Sequence, residues 1–358
     1  MNWPPQKMLG ASLLCILFFT SGCVSTLALV VPDPLWSSSN SYPSVRVAGD
    51  SLKHPDILTP LILLDLPFSV ALDTVIAAKS RRPKIGQSVS AAPLTKEESA
   101  KFIEVAIRKR IKKPVGELTD VDLEKVTRLG IVTKNLTDVK GLEKLTQLEK
   151  LTLYNNQLTD VKGLEKLTQL KFLHLRNNQL TDVKGLEKLT KLRWLSLTSN
   201  KLTDGTGLEK LTQLTELYLS NNQLTDVKGL EKLTQLEKLY LRNNQLTDVK
   251  GLEKLTKLES LGLSENKLTD VKGLEKLTKL ESLYLNNNQL TDVKGLEKLT
   301  QLTELYLQFN QLTDVKGLEK LTQLEKLILY VNPDLTKAQI AELQKALPKC
   351  KIEHNAKK

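Results

Sequence analysis

The chain has 358 residues, 26% charged, 40% hydrophobic and only 4% aromatic, with a formal net charge of +11. Its three cysteines, Cys15, Cys23 and Cys350, exclude a disulfide framework and any zinc-ligand spacing. The excess of positive over negative charge lies mainly outside the repeats described below, at Arg81, Arg82 and Lys84, in residues 108–113 and in a Lys-rich C-terminus, and it reads as solvated flanks rather than a nucleic-acid footprint.

At the N-terminus, Lys7 precedes a twelve-residue apolar run, Met8 to Phe19, and small residues then lead to a cysteine: Thr20-Ser21-Gly22-Cys23. This layout predicts a signal peptide over residues 1–22. Its end resembles the lipobox of bacterial lipoproteins, with Thr20 departing from the usual leucine. The resemblance implies lipidation of Cys23, because a thiol is the nucleophilic side chain that accepts the diacylglyceryl group. Two or three acyl chains anchor a protein stably where one does not. Val24 after the cysteine resembles sorting to an outer membrane. The alternative is an uncleaved membrane helix, since Met8–Val31 is long enough to span a bilayer although Thr20-Ser21-Gly22 interrupts it. Either way, the expected place of the rest is the bacterial cell envelope, periplasmic or surface-exposed.

Residues 32–56 are rich in Pro, Ser and Asp and read as loop. Residues 57–76 are apolar, but Asp65, Asp73 and two prolines argue against a membrane span. Cys23, Tyr42-Pro43-Ser44 and Leu64–Thr74 together resemble the signature of small bacterial lipoproteins of the YceK/YidQ type, with Ser44 in place of the usual glycine. The segment 23–80 is assigned to that resemblance, which implies no biochemical role. Asp65 and Asp73, eight residues apart, read as capping or solvated positions rather than an acid–base pair. A linker is expected at 81–96.

A helix is expected over residues 97–111, with Phe102, Val105, Ala106 and Ile111 on one side. Leu118–Val132 reads as a degenerate first coil, so 97–135 forms an N-terminal cap. From Leu136 a 22-residue unit then recurs in register nine times, through residue 333. Its core, read as Leu148, Leu151, Leu153, Asn156 and Leu158, matches the leucine-rich repeat, and the short unit most resembles the bacterial internalin-like class. Each unit is one coil of a solenoid. Leu151 and Leu153 point inward from a short strand, and Leu158, Val161, Leu164, Leu167 and Leu170 complete the layer. Burying seven such groups does no more than offset the cost of ordering 22 residues, so a coil needs neighbours. The asparagine at 156, 178, 200, 222, 244, 266, 288, 310 and 332 turns the chain and is expected to satisfy buried backbone groups of adjacent coils. A second cap at 334–358 is expected from a helix, Thr336 to Leu347, and a last strand within Lys349–Glu353. The fold class is therefore an α/β repeat solenoid: a leucine-rich-repeat horseshoe with a parallel sheet on its concave face and helical caps at both ends.

The repeats also permit a comparison within the chain. Leucines, asparagines and the Thr-Asp-Val-Lys-Gly-Leu-Glu-Lys segment barely change, while the outward strand positions vary. The middle column reads Thr152, His174, Ser196, Tyr218, Tyr240, Gly262, Tyr284, Tyr306 and Ile328. Neighbouring columns add Tyr154, Phe172, Arg176, Trp194, Arg242, Phe309 and Tyr330, and every aromatic residue of the nine coils falls here. Tyr, Trp, Phe and Arg on one face have the composition of an interface. Tyrosine as a good β-former, or duplicated along with the repeats, is the plainer reading. The convex columns nearly cancel in charge, which makes the array a poor nucleic-acid binder. No enzyme, cofactor or metal signature is present. The expectation is a non-enzymatic protein that binds a protein partner through the concave face, tied to a membrane by its N-terminal lipid. A scaffold without one tight partner, and a carbohydrate binder, are the alternatives.

Overall fold

The computed structural model describes residues 92–357 apart from residue 133. The signal, Cys23, the 23–80 segment and the linker up to residue 91 lie outside the described residues. Residues 91–358 form one unit by their contacts.

The unit opens with helix α1, Lys96–Ile111. Thr95 caps it, accepting from Glu98 N while the Glu98 carboxylate accepts from Thr95 N at 2.8 Å, a reciprocal capping box. A short helix, α2 (Asp120–Glu124), is capped the same way by Thr119 and Asp122. Eleven three-residue strands follow: β1 (Arg128–Gly130), β2 (Lys150–Thr152), β3 (Phe172–His174), β4 (Trp194–Ser196), β5 (Glu216–Tyr218), β6 (Lys238–Tyr240), β7 (Ser260–Gly262), β8 (Ser282–Tyr284), β9 (Glu304–Tyr306), β10 (Lys326–Ile328) and β11 (Lys351–Glu353). They form a single parallel sheet in chain order. The register is constant, Leu151 beside Leu173 and Leu173 beside Leu195, so each column of the repeat becomes a row across the sheet.

The inward leucines and the valine column merge into one continuous core from Ile103 to Cys350. The coil layer expected from Leu151, Leu153, Leu158, Val161, Leu164, Leu167 and Leu170 is fully buried. The asparagine ladder acts as the sequence implies. Asn178 Oδ1 accepts from Leu158 N at 3.1 Å, and its Nδ2 donates to Leu153 O and Leu175 O at 3.0 Å each. One amide thus joins two coils and closes its own turn.

The invariant convex segment also has a local cause. Asp160 Oδ1 accepts from Lys162 N at 3.0 Å, and Glu165 Oε2 accepts from Gly163 N at 2.6 Å. Glu165's own backbone N–H first, and that of Gly163 next, hold the Glu165 carboxyl below its usual range. Gly163 has φ +102, a conformation closed to residues with a Cβ, so the turn requires glycine. The convex acids therefore cap turns as well as solvate the surface, a role that charge counting did not reveal.

Both ends are closed. Helix α3 (Lys337–Ala346), capped by Thr336 and Gln339, buries Ile340 and Leu343 over the last coil, and β11 adds to β10. Cys350 is buried there, and burial pushes its thiol up to about 11, which makes it a core residue and not a nucleophile. At the other end the structure corrects the expected helix face. Helix α1 turns Ser99, Ile103 and Ile107 inward, while Phe102 and Val105 are exposed; Ala106 and Ile111 are partly buried. The helix carries two apolar stripes, and docking against the first coil, where Ile103 Cγ2 lies over Gly141, decides which is buried. With a continuous core closed at both ends, this unit has what an independently folding domain needs.

Asn244→Ala removes the partner of Leu224 N, Leu219 O and Leu241 O. Buried unsatisfied groups cost about 1–3 kcal/mol each, so a destabilisation of at least about 3 kcal/mol is expected in chemical denaturation. An unchanged midpoint would show that these bonds carry no net stability.

Candidate functional site

Strand alternation sends the first and third residues of each strand out of the sheet, the residue after each repeat strand is again a buried leucine, and the second and third residues after the strand continue the outward face. The sequence-selected residues fall there, and ring stacking brings most of them together. Phe172 and Trp194 stack at 4.1 Å and 9°, Trp194 leans on Tyr218 at 5.3 Å, and Tyr218 stacks on Tyr240 at 5.2 Å. His174 packs edge-on to Trp194 at 5.3 Å. A second stack joins Tyr284 to Tyr306 at 4.8 Å. Lys150 sits over Phe172 at 5.4 Å and Lys326 over Tyr306 at 5.1 Å, within cation–π range.

Gly262 separates the two stacks. A Cβ there would meet Tyr240 Cδ1 at 2.8 Å, so its absence lets the Tyr240 ring lie down over β7. The Tyr240 hydroxyl reaches Ser260 Oγ at 3.0 Å, and Ser260 and Gly262 are buried. The glycine is thus a designed gap in the tyrosine column and not a lost contact.

The tyrosine hydroxyls are held in place. Tyr218 donates to Glu216 Oε2 at 2.6 Å, and Tyr284 and Tyr306 both donate to Glu304 Oε2, at 3.5 and 3.4 Å. Burial first, then the neighbouring glutamates, raises the Tyr218 and Tyr284 ionisations far above the usual phenol range, so both remain donors.

Three aromatic members of the expected set behave differently. Tyr154 is 2% exposed, against His174 at 4.9 Å, so it is a core residue of the first full coil and offers no surface to a partner. Phe309 and Tyr330 are exposed, at the far end of the face. Phe309 occupies a left-handed position, φ 58, where six other coils place asparagine. Val331 does the same at φ 54. Asparagine tolerates this conformation and bonds across coils, as Asn177 Nδ2 does to Asn155 Oδ1 at 2.7 Å. Phe309 gives up both advantages while standing 50% exposed, so the fold does not explain it. Arg176 is half-buried, and Arg242 is exposed and paired to Glu265 at 2.6 Å.

Charge is polarised along the face. Arg128, Lys150, Lys171, Arg176 and Arg193 crowd the first coils, opposed by Glu149. Glu216, Glu237, Glu259, Glu265, Glu281, Glu304 and Glu325 line the later ones, opposed by Lys238, Arg242 and Lys326. The signal was present in the same 22-residue register, mainly in the column before the strand and in the strand's first position. Among the described residues no group of three His, Cys, Asp or Glu side chains could hold a metal ion.

A family model described as leucine-rich repeats (2 copies) matches seven windows from residues 146–188 to 300–344. Internalin C2 from Listeria monocytogenes is 30% identical, with 68% of this chain and 100% of that one covered and a TM-score of 0.54. An internalin, InlF, from the same species is 26% identical over 76% of this chain and 95% of that one, TM-score 0.51. The functional domain of Listeria monocytogenes InlJ is 27% identical over 71% of this chain and 59% of that one, TM-score 0.62. That domain includes a cysteine ladder; the nine coils here contain no cysteine. No curated protein sequence matches.

Two predictions follow from this geometry. Burial, then Arg176, depresses His174 to about 4 from 6.5. The folded state therefore binds fewer protons, and stability falls as pH drops from about 6.5 toward about 4 and is fully present above that window. His174→Gln should flatten this part of the Tm–pH curve relative to wild type; parallel curves would refute the assignment. Phe309→Asn should raise stability by about 1 kcal/mol in denaturant titration, because asparagine accepts the left-handed conformation.

Proposed function

Because the chain belongs to the leucine-rich-repeat family and carries internalin-like coils, we propose that it is an envelope-anchored protein that binds a protein partner through the outward face of its sheet. Leucine-rich-repeat proteins in general mediate protein–protein interaction, and their fold is typically a non-enzymatic scaffold. The observation that carries the finer reading is the confinement of the coils' aromatic residues, and of most of their variation, to one face, while the leucine, valine, asparagine and turn columns are fixed by core, ladder and turn. Tyr218, Tyr240, Tyr284, Tyr306, Phe172 and Trp194 present rigid, half-buried rings with oriented hydroxyls. Such rings supply contact area at low entropic cost. The stacking also bears on carbohydrate binding. Rings stacked on each other at 15° and 21° have spent faces that a sugar would need, and this favours a protein partner that meets their edges and hydroxyls.

Anchoring rests on Lys7, the apolar run Met8–Phe19 and Cys23. Protease shaving of intact cells, followed by immunoblotting for the repeat unit, separates a surface-exposed array from a periplasmic one. Metabolic labelling with palmitate should label the wild type and not Cys23→Ala; labelling of both would rule out lipidation there.

Replacing Tyr218, Tyr240, Tyr284 and Tyr306 together by alanine should weaken partner capture at least about 100-fold and leave the far-UV circular dichroism unchanged. Tyr154→Ala should act in the opposite way, lowering stability by about 3 kcal/mol. Partner capture that survives the fourfold substitution would sink the sheet-face model.

A further inference from the structure

Among the described residues, large apolar side chains stand exposed in two places only: the last coils, and the N-terminal cap. In the cap these are Phe102 at 41%, Val105 at 61%, Val115 at 78% and Val121 at 63% exposure. The fold does not use them, because Leu94, Ile103, Ala106, Ile107 and Ile111 already close the core at this end.

Their surroundings are mainly cationic, with the Glu98 carboxylate one turn before Phe102 held in the Thr95 capping box and Glu104 paired to Arg108. On α1, Phe102, Val105 and Lys109 follow helical spacing on the side away from Ile103 and Ile107, with Lys101 and Arg108 flanking them. Val105, Arg108, Lys109, Lys112 and Pro114 line one shallow depression. Arg108 bonds Glu104 at 2.8 Å and Gly116 O at 2.9 Å, which clamps the 114–116 loop beside Val105. Lys113 is neutralised by Asp122 at 2.6 Å. Among the described residues Lys101, Lys109 and Lys112 enter no ion pair; Lys101 stands near the Glu98 carboxylate, while Lys109 and Lys112 leave free ammonium groups beside the exposed apolar side chains.

We propose that this outer face of the cap, α1 with the 112–116 loop, docks on an anionic lipid bilayer. Phe102, Val105 and Val115 enter the boundary between headgroups and acyl chains, and Lys101, Lys109 and Lys112 meet lipid phosphates. A lipid surface of negative charge satisfies both components of the patch. Other occupants answer it less well. Of the chain's own preceding residues, the apolar 57–76 segment carries two aspartates but is followed by Arg81, Arg82 and Lys84, of the same sign as the patch, and its absence from residues 91–358 separates it from lipid in the test below. A second copy brings the same cations together. A nucleic acid answers the lysines and leaves the apolar side chains in water. The proposal depends neither on the sheet face nor on lipidation of Cys23.

Purified residues 91–358, which lack Cys23 and contain the whole core and both caps, are the material for the test. Cosedimentation with vesicles containing phosphatidylglycerol should retain the protein, and vesicles of phosphatidylcholine alone should not. Each lysine near an anionic surface is worth about fivefold in binding, so Lys109→Gln with Lys112→Gln should weaken retention by more than about tenfold. Phe102→Ser with Val105→Ser should abolish it. Val115→Ser, in an exposed loop where folding is not at risk, should weaken it on its own. The proposal is overturned by failure of the wild type to bind phosphatidylglycerol vesicles. It is equally overturned if retention ignores the serine variants and duplex DNA competes as well as lipid, which describes a plain polyanion patch. Either failure leaves the sheet-face reading untouched.

Discussion

A single coil of this protein turns sharply after its strand, and the turn strands backbone groups inside the core with no partner in that coil. The asparagine ladder resolves this. Each amide accepts from a leucine N–H twenty residues earlier and donates to carbonyls of its own and the preceding coil, as at Asn200 with Leu180 N, Leu175 O and Leu197 O, all at 2.9–3.1 Å. Because the amide spans coils, it sets the spacing and register of the stack, and register fixes which residues line up across the sheet. The uniform pairing of eleven short strands and the continuous leucine core both presuppose this ladder.

Once register is locked, the outward positions of the strands are released from structural duty. Most columns of the coil are committed: leucine and valine to the core, asparagine to the ladder, aspartate, glutamate and glycine to the convex turns. The outward columns vary most widely without loss of the fold, and there the aromatic residues and the charge polarity accumulate. The exceptions are informative. Tyr154 was drawn into the core at the first full coil, whereas Phe309 and Val331 hold left-handed backbone without the amide bonds that asparagine would make there.

The two ends of the solenoid face the same problem, an open layer of leucine, and solve it unequally. The C-terminal cap buries Ile340, Leu343 and Leu347 and adds a strand. The N-terminal cap closes the core with one stripe of α1 and leaves a second apolar stripe beside unpaired lysines. A cap with more apolar surface than closure requires has a second surface to serve, and its charge selects an anionic one.

The sequence by itself determined the coil, because a 22-residue period with fixed leucines leaves one way to bury them. It also determined the ladder, the caps' existence and the columns that face outward, since strand alternation follows from period two. Three matters were decided only by tertiary structure. Which stripe of α1 faces inward depends on docking against Gly141, because both stripes are apolar. Whether an outward tyrosine is accessible depends on its neighbours' rings, which cover Tyr154 and leave Tyr330 open. And Gly262, a gap in the column when read along the chain, becomes the bed for Tyr240 only when the next coil is stacked beside it. Periodicity reports what a residue must do within its own coil; contacts between coils 22 residues apart decide what remains exposed.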